Sequence, residues 1–114
     1  MRRALKGLAV IIGIAAGSSH AGEIDAARQR ELLHLLRHDC GSCHGLTMKG
    51  GLGAPLLPTA LAEKPDAALV AIILDGIKGT PMPPWRGELS EPDASWIVRA
   101  LRGGLDHEIG RAHV

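Results

Sequence analysis

Cys40-Gly41-Ser42-Cys43-His44 constrains this chain more than any other feature, and Met82 within Thr80-Pro81-Met82-Pro83-Pro84-Trp85 is its complement. Two thiols three positions apart, with a histidine directly behind them, form the attachment site for a c-type haem. The thiols add across two vinyl groups on one edge of the porphyrin, which leaves the His44 imidazole beside one face of the ring. A soft thioether from Met82 is the natural ligand for the opposite face, and a His/Met axial pair belongs to electron transfer. With both axial positions filled by protein, iron has no open site for a substrate. The chain is therefore expected to carry electrons and not to be an enzyme.

Two other chemistries use this motif. A zinc site needs four ligands, and only Cys40, Cys43 and His44 cluster in the sequence; adjacent Cys43 and His44 are also poorly placed for a tetrahedron. A thiol redox motif follows a strand in a βαβ unit, whereas here a helical pattern precedes it. A disulfide between Cys40 and Cys43 would close a tiny loop and leave His44 without a role.

The chain has 114 residues, enough for one domain. Its start has the form of a secretory signal: Arg2, Arg3 and Lys6, then an apolar run over residues 7–17, then Ser19-His20-Ala21. Those eleven residues would span about 16 Å, against a hydrocarbon core of ~30 Å, so cleavage after Ala21 is expected and stable membrane insertion is not. The expected divisions are a signal peptide over 1–21, a folded domain over 22–104 and a flexible tail over 105–114. Removing the signal leaves ten basic residues against twelve acidic ones, a net charge of −2 in place of +1. That balance, with no aromatic platform for bases, excludes nucleic acid as a partner. Export to the periplasm suits the motif, because c-type haem is attached outside the cytoplasm in bacteria.

The core needs help. The chain has no Phe or Tyr and only two tryptophans, Trp85 and Trp96. A domain of this size sits near the limit at which apolar burial outweighs chain entropy. Burying on the order of 500 Å² of porphyrin at ~25 cal/mol/Å² stabilises by roughly 10 kcal/mol before ordering costs, so the apoprotein is expected to be largely unfolded.

Three helices and no strands are expected. The first covers residues 24–39, with Leu32, Leu33, Leu35 and Leu36 at helical spacing. The second covers 65–75, with Pro65 in its first turn and Gly76 at its exit. The third opens on Ser90 as N-cap, with Pro92 in the first turn and Asp93 three residues after the cap, and stops at Gly103-Gly104. Residues 45–58 and 76–87 are rich in glycine and proline and are expected to be irregular, as a backbone wrapping a flat disc must be.

Within this frame His44 needs its second nitrogen held, and the carbonyl of Pro55 is the expected acceptor; the same proline also serves simply to stiffen the loop. Met48 lies four residues beyond His44, on the side of the ring His44 occupies, so Met82 is the expected sixth ligand. Pro81 and Pro83 pre-set its backbone and lower the entropy lost on fixing the sulfur. Trp85 is expected at the haem edge, with an indole N–H able to donate to a propionate or a ring that merely packs. Trp96 is assigned to the core, facing the first helix. His34 and His38 stand at i, i+4 and are assigned to the solvated side of that helix. His107 and His113 receive no role.

In this order, helix, CxxCH, Gly/Pro loop, helix, Met-bearing loop and C-terminal helix resemble the class I cytochrome c family across nearly the whole segment after the signal. Residues 39–53, Asp39-Cys40-Gly41-Ser42-Cys43-His44-Gly45-Leu46-Thr47-Met48-Lys49-Gly50-Gly51-Leu52-Gly53, are similar to the small cytochrome c55x family, and Gly79-Thr80-Pro81-Met82-Pro83-Pro84-Trp85-Arg86 and residues 93–101 continue the likeness. The resemblance implies an all-α class I cytochrome c fold, three main helices around one covalently attached haem c, in a monomer. It also implies a redox partner, the cytochrome cd-type nitrite reductase of denitrifying bacteria, served either by donating electrons or by assisting maturation of its d-type haem. A third reading, with Met82 labile and the iron sensing a diatomic gas, would show as a five-coordinate ferrous spectrum.

Overall fold

Asp25 opens the first helix. Its carboxylate accepts the Arg28 N–H at 2.8 Å, and extended backbone at Asp25 makes it an N-cap, so α1 spans Ala26–Leu35 and begins two residues later than expected. The structure, a computed structural model, describes residues 7–14 and 23–105.

Helical backbone does not stop at Asp39. It widens into a π turn over Leu36–Cys40 and continues as α2, Gly41–His44. The Gly41 N–H reaches the carbonyl of Leu36, five residues back. One extra residue in a turn rotates everything after it by about 100° relative to the stripe before it. Leu32 and Leu36 are therefore fully buried above the turn, while Cys40 is only half-buried at its end.

One further helical turn, α3, Pro58–Leu61, follows the irregular stretch and overlaps it only at Pro58, which is pre-set for a first-turn position. Helix α4 spans Asp66–Asp75; Pro65 is its N-cap and not part of its first turn. Gly76 ends it with φ +68°. Helix α5 spans Glu91–Gly103 and follows the sequence closely: Ser90 and Asp93 form a reciprocal capping box, and Gly104 terminates the helix with φ +80°. No strand occurs among the described residues, and the fold is all-α with three main helices.

Helix α5 is the keel. It packs on α4, on α3 and on α1, and Trp96, Ile97, Val98 and Leu101 join Leu32, Leu33, Leu36, Leu69 and Leu74 in one buried cluster. Trp96 is a core residue, as expected. At the far end of α5, Arg102 donates to the carbonyls of Leu61 and Lys64 and pairs with Asp66, fastening α3 and the start of α4 to the last turn. At the near end Arg28 of α1 pairs with Asp93.

Residues 7–14 are exposed and irregular, with Leu8 and Ile11 at the surface. Cleavage after Ala21 and the tail beyond residue 105 lie outside the described residues. Leu105, the last described residue, packs against the core. Among the described residues no helix is long and apolar enough to cross a membrane. His34 and His38 are exposed, their ring centroids 4.3 Å apart, and no third potential ligand joins them among the described residues.

Candidate metal centre

Cys40 closes the π turn, and Cys43 and His44 occupy the next helical turn, so one rigid element carries all three groups. Both sulfurs are free thiols. Burial, reinforced by the charge of Asp39, pushes the Cys40 thiol up to about 11. A neutral thiol is the opposite of the activated thiolate that a dithiol oxidoreductase needs. Ser42 ties the turn by donating its hydroxyl to the Asp39 carbonyl at 2.7 Å.

The following loop folds back on the helix end. Gly50 donates to the His44 carbonyl and Gly53 to the Cys43 carbonyl, both at 2.8 Å, so the last carbonyls of α2 are satisfied by the loop they precede. Gly45 turns the chain with φ +90°, and a Cβ there would stand 2.8 Å from the Gly50 oxygen. Met48, also at positive φ (61°), is 2 % exposed and belongs to the core. Its side chain packs in the core, whereas Met82, the other methionine among the described residues, does not belong to that cluster.

His44 Nδ1 lies 2.7 Å from the carbonyl oxygen of Ala54. A carbonyl only accepts, so Nδ1 carries the proton and Nε2 is the nitrogen left for iron. The expected acceptor was Pro55; the structure places the bond one residue earlier, while the Pro55 ring packs toward Gly50. Gly53 sits under the imidazole so closely that a Cβ would come within 2.7 Å of both Cε1 and Nδ1. Neither Gly53 nor Ala54 carries a side-chain signal that could have singled it out.

Met82 is half-buried on a loop anchored to the end of α4. The Ile77 N–H donates to the Met82 carbonyl at 3.2 Å, and Trp85 and Arg86 donate to the carbonyls of Ile73 and Leu74 at 3.1 and 3.0 Å. Those two carbonyls are among the four that any helix leaves unpaired at its C-terminus. Arg86 also pairs with Asp75 at 2.8 Å. Gly76 permits the crossing, since a Cβ there would meet the Met82 oxygen at 2.7 Å. Trp85 is half-buried and packs against the core.

The donor set fits a haem c. Two uncrosslinked thiols stand a turn apart, an imidazole has its tautomer fixed by a backbone carbonyl, and a thioether sits on an ordered loop between prolines.

Comparison with known proteins agrees. Residues 27–99 match the family described as cytochrome C oxidase, cbb3-type, subunit III. Cytochrome c55X of Paracoccus denitrificans is 56% identical over 94 residues, covering 82% of this chain and 91% of that protein. Among solved structures, a c-type cytochrome NirC superposes with a TM-score of 0.69 at 56% identity, over 70% of this chain and 94% of that one. A dihydro-heme d1 dehydrogenase, NirN in complex with DHE, matches at 35% identity and a TM-score of 0.57, over 60% of this chain but 15% of its own. The chain belongs to the class I cytochrome c family of haem-binding electron-transfer proteins, and within it to the cytochrome c55X group.

Proposed function

We propose that this protein is a periplasmic one-electron carrier that delivers electrons to a cytochrome cd-type nitrite reductase. Cys40 and Cys43 would hold one haem c through thioether bonds, and His44 Nε2 and Met82 Sδ would be the ligands to its iron. When bound, that group would supply a one-electron ferric/ferrous couple. The observation that carries the reading is the His44 ring, fixed through Nδ1 at 2.7 Å from Ala54 on the same helical element as two free thiols. A ring held this way does not turn when the iron changes charge, which keeps reorganisation small. Met82, on a loop pinned to α4, does the same for the other face.

Met82→Ala tests the ligand set. The variant is expected to lose the sulfur-to-iron charge-transfer band, and its potential should fall by roughly a tenth of a volt or more, within the ~0.8 V span that axial ligands control. An unchanged axial spectrum would mean that another residue holds that position. The partner is tested by stopped-flow mixing of the reduced protein with purified nitrite reductase, where electron transfer at a useful rate is expected.

The likeness to a dihydro-heme d1 dehydrogenase favours a second reading, assistance in maturing the d-type haem of the reductase. Deleting the gene separates the two. A carrier defect leaves the reductase loaded with d-type haem but short of electrons, and a maturation defect leaves it without that haem.

A further inference from the structure

Residues 81–84 have a single backbone N–H among them, because Pro81, Pro83 and Pro84 carry none. It belongs to Met82 and donates to Oγ1 of Thr80 at 3.3 Å. The same hydroxyl donates to the Ile77 carbonyl at 2.7 Å, and the Thr80 N–H reaches that carbonyl at 3.1 Å. Opposite, the Ile77 N–H holds the Met82 carbonyl at 3.2 Å. Ile77 and Met82 are thus joined twice, once directly and once through one hydroxyl.

The prolines do not achieve this alone. Each fixes its own φ and pushes the residue before it toward extended backbone, but neither ties Met82 to the end of α4. A hydroxyl bonding to an N–H two residues on does. Thr80 is exposed, so the contact does no work in the core.

We propose that Thr80 is a positioning residue for Met82: its hydroxyl bridges the Ile77 carbonyl and the Met82 N–H, and so keeps the methionine in ligating register against competing ligands. This rests on the Met82 ligation proposed above. Losing the bridge leaves the Met82 N–H without its partner and Met82 held by its carbonyl alone, so Met82 leaves the iron more often and a small exogenous ligand enters more readily.

The test is titration of the ferric, haem-loaded protein with imidazole, read by visible absorption alongside the sulfur-to-iron band. Thr80→Val keeps the shape and removes the hydroxyl; it is expected to bind imidazole about tenfold more tightly than wild type, the scale of one or two net hydrogen bonds. Thr80→Ala, without β-branching, is expected to match it. Thr80→Ser restores the hydroxyl and is expected to stay within about twofold of wild type. Thermal midpoints should fall by no more than the roughly 5–10 °C that a tenfold effect implies, whereas a general loss of stability would exceed it. Equal imidazole affinity in wild type and Thr80→Val, or serine behaving as valine does, overturns the proposal while leaving Met82 ligation standing. Absence of the sulfur-to-iron band from the wild type overturns both.

Discussion

In a Gly53→Ala variant, haem binding through His44 is expected to weaken by about 10–100-fold, the range typical of losing the group that orients a metal-bound histidine. The added Cβ would lie 2.7 Å from both Cε1 and Nδ1 of the ring. Something has to move, and the options are few. Gly53 is held by its N–H to the Cys43 carbonyl at 2.8 Å and accepts the Gly51 N–H at 3.0 Å, so the loop backbone is tied to the helix that carries His44. The ring therefore yields, and the bond to Ala54 goes with it. Backbone conformation is not the obstacle, because Gly53 does not have positive φ. Gly87→Ala is the matched control, since a Cβ there meets nothing within 4 Å. The measurement is the fraction of exported protein carrying haem, with the ferrous low-spin spectrum. Equal loading and equal spectra in both variants would show that the ring has room to spare.

That position also marks where reading the sequence stops working. Ser90, Pro92, Asp93 and Gly104 announce helix α5 because capping is local chemistry between residues three or four apart. The attachment cysteines and His44 are legible for the same reason, and Met82 stands out from Met48 by its distance along the chain and its flanking prolines. Met48 then turned out to fill the core from a left-handed backbone position, which nothing in Leu46-Thr47-Met48-Lys49 signals. The π turn was also missed: whether a helix widens depends on what its neighbours pack against, not on propensity. The shift from Pro55 to Ala54 has a simpler origin. Every residue offers a carbonyl, so an acceptor that belongs to the backbone leaves no mark on residue identity. The pairing of Arg28 with Asp93 is invisible for a third reason: 65 positions separate them, and the local sequence marks Asp93 only as a capping residue.

Their pairing yields the largest expected effect on stability. Asp93→Ala is expected to destabilise the haem-loaded protein by about 2–3 kcal/mol, less than the 3–5 kcal/mol of a fully buried broken pair because one partner is part-solvated. The Asp93 side chain is 8% exposed and that of Arg28 35%. Arg28 Nε donates to Oδ1 at 3.2 Å and Nη2 to Oδ2 at 2.8 Å, a side-on fork that joins α1 to α5. Oδ2 also accepts the Ser90 N–H at 3.0 Å, so one carboxylate serves both the interhelix contact and the cap. For a domain of this length the loss corresponds to a fall in Tm of roughly 10–20 °C. Glu31, the other partner of Arg28, is 65% exposed, and Glu31→Ala should cost about 0.5 kcal/mol or less. The hydrogen bond from Arg28, aided by those from Ser90, holds the Asp93 carboxyl below its ordinary value of 3.8. A depressed carboxyl stabilises the fold fully above that value, and its contribution drains away as pH falls through 3.8 toward the lower folded value. Arg28 stays charged throughout, so no matching loss occurs on the alkaline side. Wild-type stability should therefore drop below about pH 4 more steeply than that of Asp93→Ala, with the two curves converging in acid. Thermal melts at closely spaced pH values measure this; parallel curves would mean that Asp93 and Arg28 are neighbours without a stabilising bond.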